Sequence, residues 1–175
     1  MATRKRASDT PPTASAPVDI SDNASAARVL RQFRQVFNAV KTHFQQVEKR
    51  TGVGGAQLWA LSIIRSSPGV GVNALARAMD VHQSTASNLV RTLVERGYVA
   101  VSKSPKDRRV VQLTLLAPGV RLLRKAPGPF AGVLPDALAR LQPDTLERLE
   151  ADLAELLAVL NTDERAANIP LGQVL

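Results

Sequence analysis

Cysteine is absent from this 175-residue sequence, which also has only two histidines, one Trp, one Tyr and four Phe. Without thiols the chain can form no disulfide or thiolate metal site, and it cannot sense peroxide through cysteine. Two histidines are too few for a His-rich metal site. No apolar run approaches the ~18 residues that span a bilayer, and the N-terminal sequence has no hydrophobic signal core. We therefore expect a soluble, cytoplasmic protein that needs no metal or cofactor and makes no membrane contact.

Acidic residues are scarce in the middle of the chain. The whole sequence has 23 Lys and Arg against 15 Asp and Glu, a formal charge of +8. Residues 24–72 carry a net charge of +6 and residues 73–125 carry +7, whereas residues 136–175 carry −5. A basic middle beside an acidic C-terminal stretch favours nucleic acid as the partner, although solvated faces of uneven charge would give the same pattern.

Two segments repeat apolar residues at heptad spacing. Between Ala24 and Arg50 there is no Gly or Pro, and the apolar positions are Ala26, Leu30, Phe33, Phe37, Val40, Phe44 and Val47. The spacing returns near the C-terminus at Leu146, Leu149, Leu153, Leu156 and Leu160. It predicts two long helices, each with a seam suited to a partner helix. For the first helix, packing within a monomer is the alternative to a dimer contact.

Short helices and turns fill the segment between these two seams. Helices are predicted over residues 56–65, 73–79 and 83–96, and the tight turn at residues 80–82 makes the last two a helix-turn-helix. The run from Tyr98 to Leu115 predicts a β-hairpin, and Pro118 introduces another helix. The predicted fold class is therefore mainly α with a small β-hairpin wing, a winged helix-turn-helix flanked by N- and C-terminal helices.

The second helix of the helix-turn-helix presents short hydrogen-bonding side chains opposite its apolar residues. The candidates for DNA contact are Gln83, Ser84, Thr85, Ser87, Asn88 and Arg91. Helix N-termini favour phosphate, and Asn or Gln can pair with adenine in the major groove. No acidic side chain occurs from Gln83 through Val94 to repel a phosphate. Plain solvation of a polar face is the alternative interpretation.

Basic side chains gather at the predicted tip of the hairpin. They are Lys103, Lys106, Arg108 and Arg109, with Asp107 among them. Arginine on a narrow loop suits the minor groove, where negative potential is concentrated. Asp107 can accept hydrogen bonds from the guanidinium two residues on and so aim it. A charged turn without any partner is the alternative.

The order of these elements resembles the MarR (multiple antibiotic resistance regulator) family of bacterial transcription factors. The resemblance runs from about Val29 to Leu160, and its motifs are Gly55 to Leu61, Leu75 to Val81, Ser84 to Val99, and Asp107-Arg108-Arg109 with Gly119 twelve residues after the aspartate. It implies a homodimer with interlocked terminal helices. By position it assigns the major groove to the helix residues above and the minor groove to Arg109, oriented by Asp107.

The resemblance also implies a crevice for a small aromatic or phenolic effector. Phe33, Phe37, His43, Phe44 and Trp59 lie in that neighbourhood of the sequence. Aromatic residues at helical spacing are also common in a hydrophobic core, which is the alternative. The oxidant-sensing branch of the family is excluded because the chain has no cysteine.

These observations predict the following organisation: a disordered tail at 1–23, a helical dimerisation region formed by 24–50 and 118–162, a DNA-binding domain at 51–117, and a C-terminal tail at 163–175. The predicted function is that of a ligand-responsive homodimeric repressor that binds an inverted repeat in double-stranded DNA. An architectural or non-specific DNA-binding protein and a protein-interaction module are the alternatives. An enzyme is not expected, because no carboxylate pair, phosphate loop or activated nucleophile is evident.

Overall fold

The computed structural model describes residues 23–103, 111–162, 167 and 169–171. Within these residues there are seven helices and two strands: α1 (Ala24–Thr51), α2 (Gly55–Ser66), α3 (Val72–Ala78), α4 (Gln83–Glu95), β1 (Val99–Lys103), β2 (Val111–Leu115), α5 (Ala117–Lys125), α6 (Val133–Leu138) and α7 (Pro143–Leu160). The predicted fold class, mainly helical with a β-hairpin wing, is confirmed. The predicted N-terminal tail lies outside the described residues except for Asn23.

The chain divides into two compact units, one ending at Arg34 and the other beginning at Gln35. In the first unit, Asn23 determines where α1 starts. Its Oδ1 atom accepts hydrogen bonds from the backbone N–H groups of Ser25 and Ala26, at 3.1 and 3.0 Å. These bonds satisfy donors that have no partner inside the first helical turn.

The core of the second unit is built around α2. Leu58, Leu61 and Ile64 recur at helical spacing and are fully buried, so they form the inward face of this helix. Helix α2 packs against α3, α4, α5 and β2, so it holds the helix-turn-helix and the wing on one support. The other fully buried large side chains are Val47, Val53, Leu75, Met79, Leu93, Val99, Leu113 and Leu123.

The two heptad seams differ in how much the single chain buries them. In α1, Val40 and Val47 are buried, whereas Phe37 is 52% exposed. In α7 no residue is buried, and Leu160, the last residue of its seam, is 60% exposed. Two turns of α1 therefore belong to the core. In α7, Leu146, Leu149 and Leu153 are half-buried, and the apolar residues from Leu156 onward are exposed to solvent.

Helix α6 was not predicted from the sequence. Pro127, Gly128 and Pro129 predict an end to the helix that Pro118 introduces, with no further helix before the C-terminal seam. In the structure, however, Val133–Leu138 is helical. Pro135 stands in the first turn of α6, where its missing N–H costs no hydrogen bond. A proline close to a helix start is therefore compatible with a short helix inside a proline-rich stretch.

Gly119 lets α5 approach the base of the wing. A Cβ atom at this position would lie 2.7 Å from the backbone oxygen of Tyr98 and 2.8 Å from Cδ1 of Leu115. The same Tyr98 oxygen accepts a hydrogen bond from the N–H of Leu116, at 2.9 Å. A glycine is needed here because a side chain would have to displace backbone.

Candidate nucleic-acid interface

A tight turn joins α3 to α4, which we call the recognition helix. Asp80 adopts a positive φ of 51°, and the N–H of Val81 donates to the oxygen of Ala76 at 3.0 Å. Asp is among the few residues that adopt this left-handed conformation at small cost. The turn ends α3 and redirects the chain so that the two helices pack together, and Leu75, Ala76 and Ala86 on these helices are buried.

The recognition helix has two chemically distinct sides. Ala86, Leu89, Val90 and Leu93 are buried and face the core. Ser84, Ser87, Asn88 and Arg91 follow the i, i+3, i+4, i+7 spacing of one helical stripe on the other side. We call these four residues the outer stripe.

Exposure agrees with this division. Ser84, Asn88 and Arg91 are exposed, and Ser87 is half-buried. Gln83 and Thr85 flank the outer stripe at the start of the helix, the first exposed and the second half-buried. All six candidate residues on this helix therefore lie outside the fully buried core. Side chains of this kind, on the first turns of a helix beside free backbone N–H groups, can bind both base edges and phosphates.

Asn88 and Arg91 act as a pair. The Nη2 atom of Arg91 donates a hydrogen bond to Oδ1 of Asn88, at 3.1 Å. This contact holds the carboxamide through its oxygen and leaves its NH₂ group as a donor. The guanidinium keeps further N–H donors for a phosphate or a guanine.

The hairpin confirms the predicted wing as far as it is described. Strands β1 and β2 are antiparallel, with Val99 opposite Leu115 and Lys103 opposite Val111. Lys103 is exposed at the end of β1, so residues 104–110 connect the strands next to it. Lys106, Asp107, Arg108 and Arg109 lie outside the described residues, and their roles stay predictions from the sequence.

Hydrogen bonds also tie the loop between α2 and α3 to the wing. The N–H of Gly69 donates to the oxygen of Leu113 at 2.9 Å, and the N–H of Leu113 donates to the oxygen of Val70 at 3.0 Å. Gly69 has a φ of +85°, which favours glycine. The loop thus pairs with β2 like a third strand and fixes the wing to the end of α2.

A cavity of about 330 Å³ lies in the second unit. Its walls come from α1, α2, the turn before the recognition helix, residues 131–135 and the C-terminal residues 167 and 169–171. Asp80 is the one charged residue among the described residues that line it. The predicted effector residues Phe44 and Trp59 line this cavity.

Phe33, Phe37 and His43, the other three residues of the predicted effector neighbourhood, are not among the residues that line the cavity. His43 is buried to 8% exposure and meets the ring of Phe44 edge-on, with 5.5 Å between the ring centroids. Phe44 in turn packs against Gly55, where a Cβ atom would overlap its ring. His43 therefore contacts the wall residue Phe44 without lining the cavity itself. An effector role for Phe37 or His43 stays a prediction.

Two contacts near these sites have no signal in the sequence. The first is a hydrogen bond that Arg96, directly after the recognition helix, donates from Nη1 to the backbone oxygen of Gly52. The second is the contribution of the C-terminal residues to the cavity wall. Gly52 lies 44 residues before Arg96, and the C-terminal segment carries no periodic pattern that predicts a contact. The arginine itself was visible in the sequence, but its partner, a backbone carbonyl, was not.

The described residues offer no group of three or more His, Cys, Asp or Glu side chains that could hold a metal ion. None of the helices in the described ranges is both long and apolar enough to cross a bilayer.

Comparison with known proteins places the helix-turn-helix and the wing in context. Residues 56–111 match the MarR family. A Thauera aromatica protein whose name associates it with transcriptional regulation of the hcr operon is 40% identical over 65 residues, 37% of this chain and 39% of that protein. The HTH-type transcriptional regulator Hpr of Bacillus cytotoxicus is 29% identical over 98 residues, 56% of this chain and 53% of Hpr. The chain thus spans about two fifths to one half of these relatives.

The fold is shared with a solved structure over a longer range. The crystal structure of a MepR-like protein complexed with pseudoligands aligns with a TM-score of 0.53 at 18% sequence identity, covering 78% of this chain and 97% of that one. At this identity the likeness establishes the winged-helix fold. The names of the relatives above are those of transcriptional regulators and agree with the expectation that the chain is not an enzyme.

Proposed function

The chain carries a MarR-family winged-helix domain, and from this premise we propose that it is a sequence-specific, homodimeric repressor of transcription that binds an inverted repeat in double-stranded DNA. The observation that carries the proposal is the outer stripe of the recognition helix. Its side chains project away from a fully buried apolar face, and no carboxylate follows until Glu95. Such a face can enter a major groove without repelling phosphate.

Homodimer formation is supported by the open apolar side of α7. Leu156, Leu157, Val159 and Leu160 are 37% to 80% exposed in the single chain. Four apolar side chains on the last two turns of a helix are an unfavourable surface in water, and a second copy would cover them. A twofold dimer would place two recognition helices in successive major grooves, so the half-sites should be centred ~10 base pairs apart.

Ligand response is supported by the position of the cavity. Its wall includes Met79, Asp80 and Val81, which form the turn immediately before the recognition helix. A small aromatic or phenolic effector bound there would contact this turn directly. If the effector binds one orientation of the turn more tightly than another, it favours that orientation. The change in DNA affinity is then limited by this difference in effector affinity. Titration of DNA complexes with benzoate, phenol and 1-naphthol tests this part of the proposal.

The experiment that tests DNA recognition is selection of bound sites from a random duplex pool, followed by competition titration. A specific repressor enriches one inverted repeat and binds it ~10³-fold or more tighter than random duplex. Near parity between the two duplexes would instead show a DNA-coating protein. Failure to bind any duplex, or binding without dependence on salt concentration, would contradict the proposal and favour a protein-interaction module.

A further inference from the structure

The C-terminal residues Ala167, Ile169, Pro170 and Leu171 line the cavity described above, together with Trp59 and the turn before the recognition helix. We propose that this segment, which we call the strap, is an internal competitor for the ligand: it covers the cavity in the resting protein, and an apolar effector must displace it. The proposal rests on the proposed ligand response of the same cavity and adds a means of regulating it.

The chemistry of the strap matches the cavity it lines. Ile169, Pro170 and Leu171 are apolar, and they share the cavity with Val40, Phe44 and Trp59. Burial of such side chains against apolar walls is favourable because it removes apolar surface from water. Proline adds little conformational entropy cost when the segment is ordered. The strap therefore gains free energy from the same surface that an apolar ligand would use.

The strap is also held weakly enough to be displaced. Ile169 is 47% exposed and Leu171 is 39% exposed, so each buries part of its side chain and leaves the rest in water. By contrast, the cavity wall residues Ala56 and Met79 are 3% and 2% exposed. Releasing a segment whose apolar side chains are half-exposed costs much less free energy than opening an element of the core.

Displacement of the strap has a route to the recognition helix. The turn formed by Met79, Asp80 and Val81 belongs to the same cavity wall, and the recognition helix begins two residues later at Gln83. The strap and this turn line the same cavity. An effector that replaces the strap changes what the turn packs against and so biases the orientation of the helix.

The chain contains a single tryptophan, Trp59, and this residue lines the cavity. Its accessibility to acrylamide therefore reports whether the strap is seated. We would compare the full chain with a chain ending at Thr162, with Ile169→Asp, and with Leu141→Asp as the control. Leu141 is 39% exposed, comparable to Ile169 at 47%, but Leu141 does not line the cavity.

We expect faster acrylamide quenching of Trp59 in the shortened chain and in Ile169→Asp, and unchanged quenching in Leu141→Asp. With 1-naphthol as the probe, both strap variants should bind about tenfold tighter if the strap is seated in about nine chains out of ten. Equal quenching and equal 1-naphthol affinity in the full and shortened chains would overturn the proposal. Thermal unfolding followed by circular dichroism identifies a variant that fails to fold. If the shortened chain fails to fold, the comparison of Ile169→Asp with the full chain and with Leu141→Asp tests the proposal.

The failure of this inference can be distinguished from failure of the proposed function. If the full chain binds its selected duplex but Trp59 quenching does not respond to removal of the strap, the strap proposal is wrong and DNA recognition stands. If quenching and 1-naphthol affinity change as expected but no duplex is bound, the strap is supported as a cover of the cavity, whereas its role in a DNA-binding regulator is overturned.

Discussion

Arg96, the residue that follows the recognition helix, donates a hydrogen bond from Nη1 to the backbone oxygen of Gly52, and the two atoms are 2.9 Å apart. Gly52 comes directly after α1 and has a φ of +69°. The bond therefore ties the end of the recognition helix to the turn between α1 and α2.

The first prediction concerns this contact. Arg96→Ala should lower the free energy of unfolding by about 1 kcal/mol, because the Gly52 carbonyl loses its charged donor. It should also weaken binding to the selected duplex about fivefold, which is about 1 kcal/mol, because the end of the recognition helix is less well fixed. Chemical denaturation and a binding titration measure the two effects.

Arg140→Ala is the matched control for charge. Arg140 is exposed and pairs with Asp136 at 2.7 Å, outside the helix-turn-helix. The Arg140→Ala variant should bind DNA with nearly unchanged affinity. An equal loss of affinity in both variants would show that net charge matters and that the contact with Gly52 does not.

The second prediction is that Asn88 and Arg91 act together on DNA. Replacing either residue by Ala should cost about 1 to 3 kcal/mol of binding free energy, as expected for a groove contact. The double variant should cost less than the sum by at least about 0.5 kcal/mol, because loss of one partner already disrupts the pair.

Ser84 and Arg91 provide the control cycle. They belong to the same outer stripe but are separated by two turns, ~10 Å along the helix axis. Their effects should add within about 0.5 kcal/mol. If Asn88 and Arg91 are equally additive, the hydrogen bond between them has no role in recognition.

The sequence predicts the helix-turn-helix well because its information is local. Leu75, Ala76, Met79, Ala86 and Leu93 recur at helical spacing, and all five are buried. Gly97, with a φ of +69°, ends the recognition helix where the pattern predicts. Each of these signals lies within a few residues of the feature that it predicts.

Other features could not be predicted because they depend on residues far apart in the chain. The partner of Arg96 is a backbone oxygen 44 residues earlier, and a carbonyl has no sequence signature. Ile169 reaches a cavity wall that also contains Val40, and no local period links them. Likewise, Phe37 and Phe44 belong to one predicted seam, and only the tertiary structure shows that Phe44 lines the cavity.

The third prediction concerns the hairpin. Arg109→Ala should cost about 1 to 3 kcal/mol of DNA binding through loss of a groove contact. Lys103→Ala, at the exposed end of β1, should weaken binding to all duplexes by a similar factor. It should also reduce the number of ions released on binding, measured from the salt dependence of the affinity, by about one. An unchanged binding isotherm for Arg109→Ala would refute its assignment to the minor groove.

The fourth prediction concerns Gly119. Gly119→Ala should lower the free energy of unfolding by about 1 to 3 kcal/mol, because its Cβ would lie 2.7 Å from the Tyr98 oxygen and force backbone apart. Gly54→Ala is the control, since a Cβ there has no neighbour within 4 Å and the backbone is extended. Denaturant titrations of the two variants check the difference, and equal stability would show that α5 can move away from the wing without cost.

The fifth prediction is that the apolar side of α7 forms the dimer contact. Leu157→Asp and Leu160→Asp place a charge on residues that are 50% and 60% exposed in the single chain. If a second copy covers them, the buried charge is costly, and sedimentation velocity should show a shift from dimer to monomer. Binding to the full inverted repeat should weaken strongly, whereas a single half-site should be bound as before, because the recognition helix is unchanged.

Ala151→Asp is the control on the same helix. Ala151 is exposed and lies about 180° around α7 from Leu160, so the same charge is added away from the proposed contact. This variant should remain dimeric and retain the affinity of the unmodified chain for the inverted repeat. A chain that sediments as a monomer before any substitution would remove the basis of the prediction. Dimers that persist in Leu157→Asp and Leu160→Asp would place the contact on another surface, because two carboxylates cannot be buried between apolar faces at small cost.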